Sequence, residues 1–238
     1  MKFLFAGLGS IGKRHLKNLY ARGERDFIAY HTTAIIDDFE KEYGVGRVPS
    51  YEEGLALHPD AVFITNPTSF HMQYTLKALE AGAHVFVEKP LSHTIDGIKE
   101  IEAVAKEKQK IVYVGYQLRF HPVLCSIKEI LDGGTLGRVL AMRNEVGQYL
   151  PDWHPGEDYT KNYAARTDLG GGAILSLIHE IDYPQWLFGK VSSIYCTGGH
   201  ISDLQIDVED VAKISMVFDS GLVADIHLDY LQRPPARN

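Results

Sequence analysis

Lys2-Phe3-Leu4-Phe5-Ala6 runs straight into Gly7-Leu8-Gly9-Ser10-Ile11-Gly12, and residues 10–22 continue with helical spacing. This order of strand, glycine turn and helix decides the fold. In G-x-G-x-x-G the first glycine permits a tight turn and the second lets backbone approach a pyrophosphate. The third lets helix and strand pack closely. The opening helix amides, around Ser10 and Ile11, and the helix dipole then receive the phosphates. A glycine turn that serves another ligand, or none, is the alternative.

The alternation continues outward. Apolar, β-rich runs at 26–30, 61–65, 84–87 and 111–116 are separated by helical patterns at 34–43, 70–81 and 94–108. Continuously apolar strands are expected to be buried on both faces. Strands alternating with helices argue for a parallel sheet covered on both sides. Residues 1–120 therefore read as an α/β, Rossmann-type, doubly wound dinucleotide-binding domain. The pattern changes near 117–123. A helix is expected at 122–131, and strands at 138–149, 191–197, 208–218 and 222–231. Asp219-Ser220-Gly221 is a hairpin turn signal between the last two. One apolar helix is expected from the glycines at 170–172 to about 188. Residues 121–238 thus read as an α+β domain of helices and mostly antiparallel strands. The segment 150–168 is polar, aromatic and proline-containing without a period, which inside a compact domain usually marks function.

Composition sets outer limits. The chain has 238 residues, with 24 Lys and Arg against 31 Asp and Glu, for a formal net charge of −7. Its length lies between one and two domains. With 45% hydrophobic and 23% charged residues it is globular rather than disordered material. Net acidity disfavours a nucleic-acid partner, which needs a basic face. Two cysteines, Cys125 and Cys196, are too few for a disulfide framework and fit a reducing cytoplasm. The opening apolar run is too short for a signal peptide, and no later run approaches ~18 apolar residues, so no membrane partner is expected.

Cofactor choice is read at the end of the second strand, where NAD enzymes commonly carry an acidic residue. Here the stretch is Ala29-Tyr30-His31-Thr32-Thr33, and Asp37 and Asp38 come later. His31 and the threonine hydroxyls, Thr32 first, suit a 2′-phosphate, although no arginine is adjacent. The expectation is NAD or NADP, tilted to NADP. A plain solvated His31 is the alternative.

Three further segments carry a resemblance. Thr65-Asn66-Pro67-Thr68-Ser69-Phe70-His71 follows one strand candidate, and Val85-Phe86-Val87-Glu88-Lys89-Pro90-Leu91-Ser92 spans the next. Gly170-Gly171-Gly172-Ala173-Ile174-Leu175-Ser176-Leu177-Ile178-His179-Glu180-Ile181-Asp182 opens the second-half helix. With the glycine turn they resemble the glucose–fructose oxidoreductase / inositol dehydrogenase / MocA (Gfo/Idh/MocA) family of NAD(P)-dependent oxidoreductases, over essentially the whole chain. Glu-Lys-Pro after a strand is the most specific element. The resemblance implies a second domain with an open, largely antiparallel sheet that binds substrate and forms oligomers. It also implies a dehydrogenase for sugars, cyclitols or sugar acids. A subset similar in the loop after residue 150 accompanies surface-polysaccharide pathways.

The resemblance assigns residues as well. Lys89 would reach both nicotinamide ribose and substrate, next to a proline bond that is often cis. There it would orient the reacting hydroxyl and stabilise charge on its oxygen. Asn66 and Pro67 lie at a strand's carboxyl end, the ligand edge of such a sheet. His71 follows on the next helix, and Glu88 precedes the lysine. Gln117 and Arg119 are candidates to touch nicotinamide or to brace the Glu-Lys-Pro turn. An Arg119–Glu88 pair, a surface His71 and an exposed Lys89 turn are the plain alternatives.

Removing hydride from a secondary alcohol needs a base for the hydroxyl proton, and a histidine titrates near working pH. His179 matches the family's catalytic histidine. Spacing of three puts Ser176, His179 and Asp182 on one helix face. Family members usually carry Asp or Glu where Ser176 stands, so Asp182 or Glu180 would orient His179, or the substrate needs no carboxylate, or turnover is reduced. A packed helix histidine is the alternative. In the segment 151–166, Trp153 and Tyr163 are candidates to stack on a sugar. Arg166 or Lys161 would hold a carboxylate or phosphate. A structural loop is the bland reading. No His-x-x-x-His or Cys-x-x-Cys spacing supports a metal site.

The leading function is an oxidoreductase. A redox-neutral glycosidase or epimerase with tightly held NAD, and a non-catalytic nucleotide- or sugar-binding homologue, are the competitors. A homodimer or homotetramer is expected. The chain stops just after a strand candidate, so the second domain is expected to be C-terminally incomplete.

Overall fold

Strand β1 (Lys2–Ala6) buries Phe3, Leu4, Phe5 and Ala6 in succession, so both of its faces are covered. The computed structural model describes residues 1–31 and 38–238. They form two compact units, Met1–Gly115 and Tyr116–Asn238.

In the first unit β1 is followed by α1 (Ser10–Ala21), β2 (Asp26–Tyr30), α2 (Asp38–Tyr43) and β3 (Gly46–Arg47). Then come α3 (Tyr51–Ala56), β4 (Ala61–Ile64), α4 (His71–Glu80), β5 (His84–Val87), α5 (Ile98–Glu107) and β6 (Val112–Val114). The sheet is parallel, in the order β3-β2-β1-β4-β5-β6. β1 pairs with β2 on one side and β4 on the other, so strand order reverses there and a crevice opens at their carboxyl ends. One sheet face packs Leu4, Ile28, Val62, Ile64 and Val85 against Tyr51, Leu79 and Ile101. The other packs Phe3, Phe5 and Phe27 against Leu8 and Leu16.

The sequence reading missed β3 and α3. A two-residue strand has no period to detect. α3 does carry a signal: the Ser50 hydroxyl accepts from the Glu53 amide, a capping box readable as Ser-x-x-Glu. α5 starts four residues later than expected, because Gly97 at φ +81° breaks the approach to it.

The second unit contains α6 (Pro122–Asp132), β7 (Ala141–Gly147), α7 (Ala173–Ser176) and α8 (His179–Phe188). It ends with β8 (Val191–Gly199), β9 (Val211–Phe218), β10 (Val223–Asp229) and β11 (Ala236–Arg237). Sheet order is β11-β7-β10-β9-β8, with one parallel pair, β7–β10, among antiparallel neighbours. Ile214, Met216, Phe218, Ala224, Ile226 and Leu228 point to the core. Lys213, Ser215, Asp225 and His227 alternate with them on the other face, the period of two a half-covered sheet requires. The segment 150–168 folds as four short 3₁₀ turns.

The single helix expected from the glycine run is two helices. Leu177 (φ −102°, ψ 27°) leaves the helical region and separates α7 from α8. α8 also contains Pro184, which lacks the N–H that would bond the Glu180 carbonyl. Asn144 of β7 supplies that donor: its Nδ2 lies 3.0 Å from the Glu180 oxygen, and its Oδ1 accepts from the Tyr183 hydroxyl at 2.6 Å.

Candidate functional site

The glycine turn is built for close approach. Gly7 has φ +98°, and a Cβ there would meet the Asn66 nitrogen at 2.9 Å and Thr65 backbone at 3.0 Å. A Cβ on Gly12 would lie 2.7 Å from the Gly7 oxygen. Thr65 Oγ1 donates to that same oxygen at 2.6 Å. The turn and the Asn66 loop, read as separate motifs, are therefore packed back to back. Gly9 differs: its Cβ position has no neighbour within 4 Å. Ser10 and Ile11 open α1 behind it, with no side-chain cap and no acidic residue in the first turn. Asn66 Oδ1 is buried and has no hydrogen-bond partner among the described residues, a cost a polar ligand group would remove. Bare amides, an open glycine face and an orphaned amide oxygen suit a dinucleotide's pyrophosphate and polar head.

At the end of β2 the structure adds what spacing did not show. His31 Nε2 lies 3.0 Å from Arg47 Nη2 and 3.2 Å from Glu40 Oε1. Arg47, carried on β3, donates to both Glu40 oxygens at 3.1 and 2.6 Å. Glu40 is buried, while His31 and Arg47 keep some exposure. An arginine and a carboxylate thus both stand at His31, correcting the expectation that no arginine is adjacent. Thr32 lies outside the described residues.

The Glu-Lys-Pro turn follows β5, and its Lys89–Pro90 bond is cis. Glu88 Oε1 lies 2.6 Å from His15 Nε2 of α1, and its Oε2 accepts from the Lys89 amide at 3.2 Å. Burial pushes this carboxyl up, but His15 and Lys89 together hold it below its ordinary value. Lys89 is half-buried. Pro67 begins the 3₁₀ turn that leads into α4. His71 is not the surface histidine of the plain alternative. It is buried, with Nδ1 2.7 Å from the Pro90 oxygen and Nε2 2.9 Å from the Asn66 oxygen. Burial lowers its proton affinity. It ties the two ligand-edge loops together from behind.

In the second unit His179 is the first residue of α8 and is buried. The Tyr116 ring stands edge-on to it, 6.0 Å between centroids at 77°. Burial, then the Asp182 charge, pushes the Tyr116 hydroxyl up to about 12. Asp182 receives a two-pronged contact from Arg119: Nε to Oδ2 at 2.8 Å and Nη2 to Oδ1 at 2.5 Å. Gln117, on the same turn, is exposed. Ser176 ends α7, on the far side of the break, and its Oγ accepts from the buried Tyr230 hydroxyl at 2.8 Å. The expected common face of Ser176, His179 and Asp182 is thus not formed, because the helix does not continue through Leu177. Glu180 is buried and pairs with Arg237 Nε at 2.7 Å.

The segment 151–166 is mostly engaged in its own packing. Trp153 donates its Nε1 to the Gln148 oxygen at 3.2 Å and packs edge-on against Tyr230. Tyr163 packs on the same core. Arg166 forks onto Asp168 at 2.9 and 2.6 Å. Lys161 lies 3.3 Å from Asp158.

Two family models match the chain. An oxidoreductase family model with an NAD-binding Rossmann fold covers residues 1–116, and a GFO/IDH/MocA C-terminal domain model covers residues 125–238. The uncharacterized oxidoreductase YrbE of Bacillus subtilis is 28% identical over 92% of this chain and 64% of its own length. Myo-inositol 2-dehydrogenase of Thermotoga maritima is 27% identical over 95% of this chain and 67% of its own. The chain therefore spans about two thirds of the length of these relatives. Among solved structures, the WlbA dehydrogenase from Bordetella pertussis in complex with NADH and UDP-GlcNAcA matches with TM-score 0.88 and 23% identity. That match covers 99% of this chain and 68% of the neighbour. Levoglucosan dehydrogenase in complex with NADH matches with TM-score 0.86 and 20% identity, over 98% of this chain and 68% of the neighbour. At these identities the two likenesses speak for the fold.

Proposed function

Because the chain belongs to the GFO/IDH/MocA family of NAD-binding Rossmann-fold oxidoreductases, we propose that it moves a hydride between a nicotinamide dinucleotide and a hydroxyl-bearing carbon. The substrate class is a sugar, cyclitol or sugar-acid derivative. The observation that carries the reading is the glycine turn. Gly7 and Gly12 are filled in by Asn66, Thr65 and each other, while Gly9 alone is left open at the sheet's crevice.

The nicotinamide supplies the hydride acceptor or donor. This chain's residues do the rest. Ser10 and Ile11 offer amides to phosphate, and Asn66 offers its unpartnered amide oxygen to a donor on the ligand. Lys89 orients the substrate hydroxyl and stabilises its oxygen as charge develops. His179 takes the hydroxyl proton on a ring nitrogen during oxidation and returns it during reduction. NADP is favoured over NAD because Arg47 and His31 stand together at the end of β2, with the counter-charge of Glu40 buried behind them. The protein works as a homodimer or homotetramer in the cytoplasm. A sheet face bearing Lys213, Ser215, Asp225 and His227, and two free cysteines, are consistent with that.

The test is a polyol and sugar panel read as NAD(P)H formation, on the native chain and on His179→Ala. The variant should lose turnover by ~100-fold or more with its cofactor Kd unchanged. Turnover that survives in the variant removes His179 from this role.

A further inference from the structure

We propose that Arg119 and Asp182 are a positioning pair for His179, and that Tyr116 forms the wall against which the imidazole is set. The proposal rests on the reading of His179 as the proton-transferring group. Three observations meet here. α8 begins at His179 itself, after the non-helical turn at Leu177 that ends α7. The helix's own ladder is interrupted one residue on, where Pro184 leaves the Glu180 carbonyl to Asn144. Backbone bonds from the Glu180, Ile181 and Asp182 amides to Leu177 and Ile178 form the first turn of α8, and side chains from outside the helix brace it. The strongest of these is the Arg119 fork, which lands on Asp182 three residues after His179 and on the same helix face.

The turn that carries Arg119 also follows directly on Tyr116. The Arg119 guanidinium lies 5.7 Å from the Tyr116 ring centroid, and that ring stands edge-on to His179. One short turn thus grips α8 at two points, at the imidazole and three residues further along. A planar fork on a carboxylate fixes both distance and plane, which a lysine ammonium, a point charge on a flexible stem, does not. Asp182 is nearly buried and Arg119 is part-exposed, so the pair is poor as a source of stability and good as a source of geometry.

The test is Arg119→Lys in the full chain, which keeps the charge and removes the fork, with Asp182→Asn as a second variant. We expect kcat to fall ~10-fold or more, the scale set by a small misplacement of a reacting group, while KM for the dinucleotide changes less than about twofold. In a His179→Ala background the same change should leave residual turnover unaltered, because the pair acts through the imidazole. A structural role alone lowers turnover equally in both backgrounds, and that result overturns the proposal. If no polyol is turned over by the native chain, the functional reading fails. The pairing is then decided by ¹⁵N-histidine spectra, with the His179 resonance assigned by its loss in His179→Ala. That resonance moves or broadens in Arg119→Lys if the proposal holds, and stays in place if it does not.

Discussion

Gly9→Ala separates folding from binding at one methyl group. Gly9 sits at the N-cap of α1 with φ −73° and ψ −166°, an extended conformation open to any residue. Its Cβ position meets nothing within 4 Å. Alanine there gains about 0.4–1 kcal/mol by narrowing the unfolded ensemble and gives back a similar amount, about 0.5–1 kcal/mol, as a poorer N-cap. The native state should therefore melt within about 3 °C of the original. The methyl fills the space proposed for the pyrophosphate. Losing one charge-assisted hydrogen bond, about 2 kcal/mol, weakens dinucleotide binding roughly thirtyfold.

Gly12→Ala is the contrasting case. Its Cβ would sit 2.7 Å from the Gly7 oxygen and 2.9 Å from Thr65 Oγ1, an oxygen already committed to Gly7. Overpacking of that kind costs about 1–3 kcal/mol, or roughly 2–4 °C per kcal/mol in a chain of this size. Calorimetry and NADH fluorescence titration on both variants give the two readouts. A Gly9→Ala protein that binds as tightly as the parent refutes the reasoning. So does one that loses as much melting temperature as Gly12→Ala.

Two further outcomes follow from the first unit. Folding depresses the Glu88 pKa, so its stabilisation is present above the unfolded value and is lost as pH falls through the folded one. His15→Asn should cost about 1–3 kcal/mol at neutral pH; it also removes the depression of the Glu88 pKa, so the stability gap between variant and parent narrows as pH falls. Urea unfolding between about pH 3 and 7 would show it, and curves parallel to the parent's would rule it out. Glu40→Gln removes the buried counter-charge of Arg47. It should shift the NADP-to-NAD affinity ratio upward by roughly tenfold, about 1.4 kcal/mol, and an unchanged ratio places the 2′ position elsewhere.

The parts legible in the sequence are those in which one local run carries the whole signal. β1, the glycine turn and α1 read correctly because strand, turn and helix are contiguous and the strand has no polar face to hide. The β9–β10 hairpin was legible from the Asp219-Ser220-Gly221 turn between two apolar runs. The break between α7 and α8 was not, because Leu177 and Ile178 continue the apolar period and only backbone angles betray the interruption.

At the site, Asn66 and Lys89 could be placed near strand ends because each comes two residues after a strand. Whether His71 lies at the surface was not legible, because helical spacing does not say which face turns inward. The partners His15 of Glu88, Arg47 of His31 and Arg119 of Asp182 are joined only by the fold, so no spacing rule reaches them.

The parallel pairing of β7 with β10 has a consequence for how the second unit is made. β8, β9 and β10 are neighbours in the chain and zip together as antiparallel strands over short connections. β7 must wait. Its partner lies beyond the stretch 148–222, and closing a loop of that length costs on the order of 4 kcal/mol in chain entropy. The strand that ends up inside the sheet is thus among the last to join it. On the ribosome, residues 1–115 can collapse as soon as they emerge. Met142 and Val146, by contrast, remain without their strand partners Ala224 and Leu228 until residues 223–229 have emerged. Any delay in synthesis between β7 and β10 prolongs the exposure of that strand's edges, and that interval is where misassembly competes with folding.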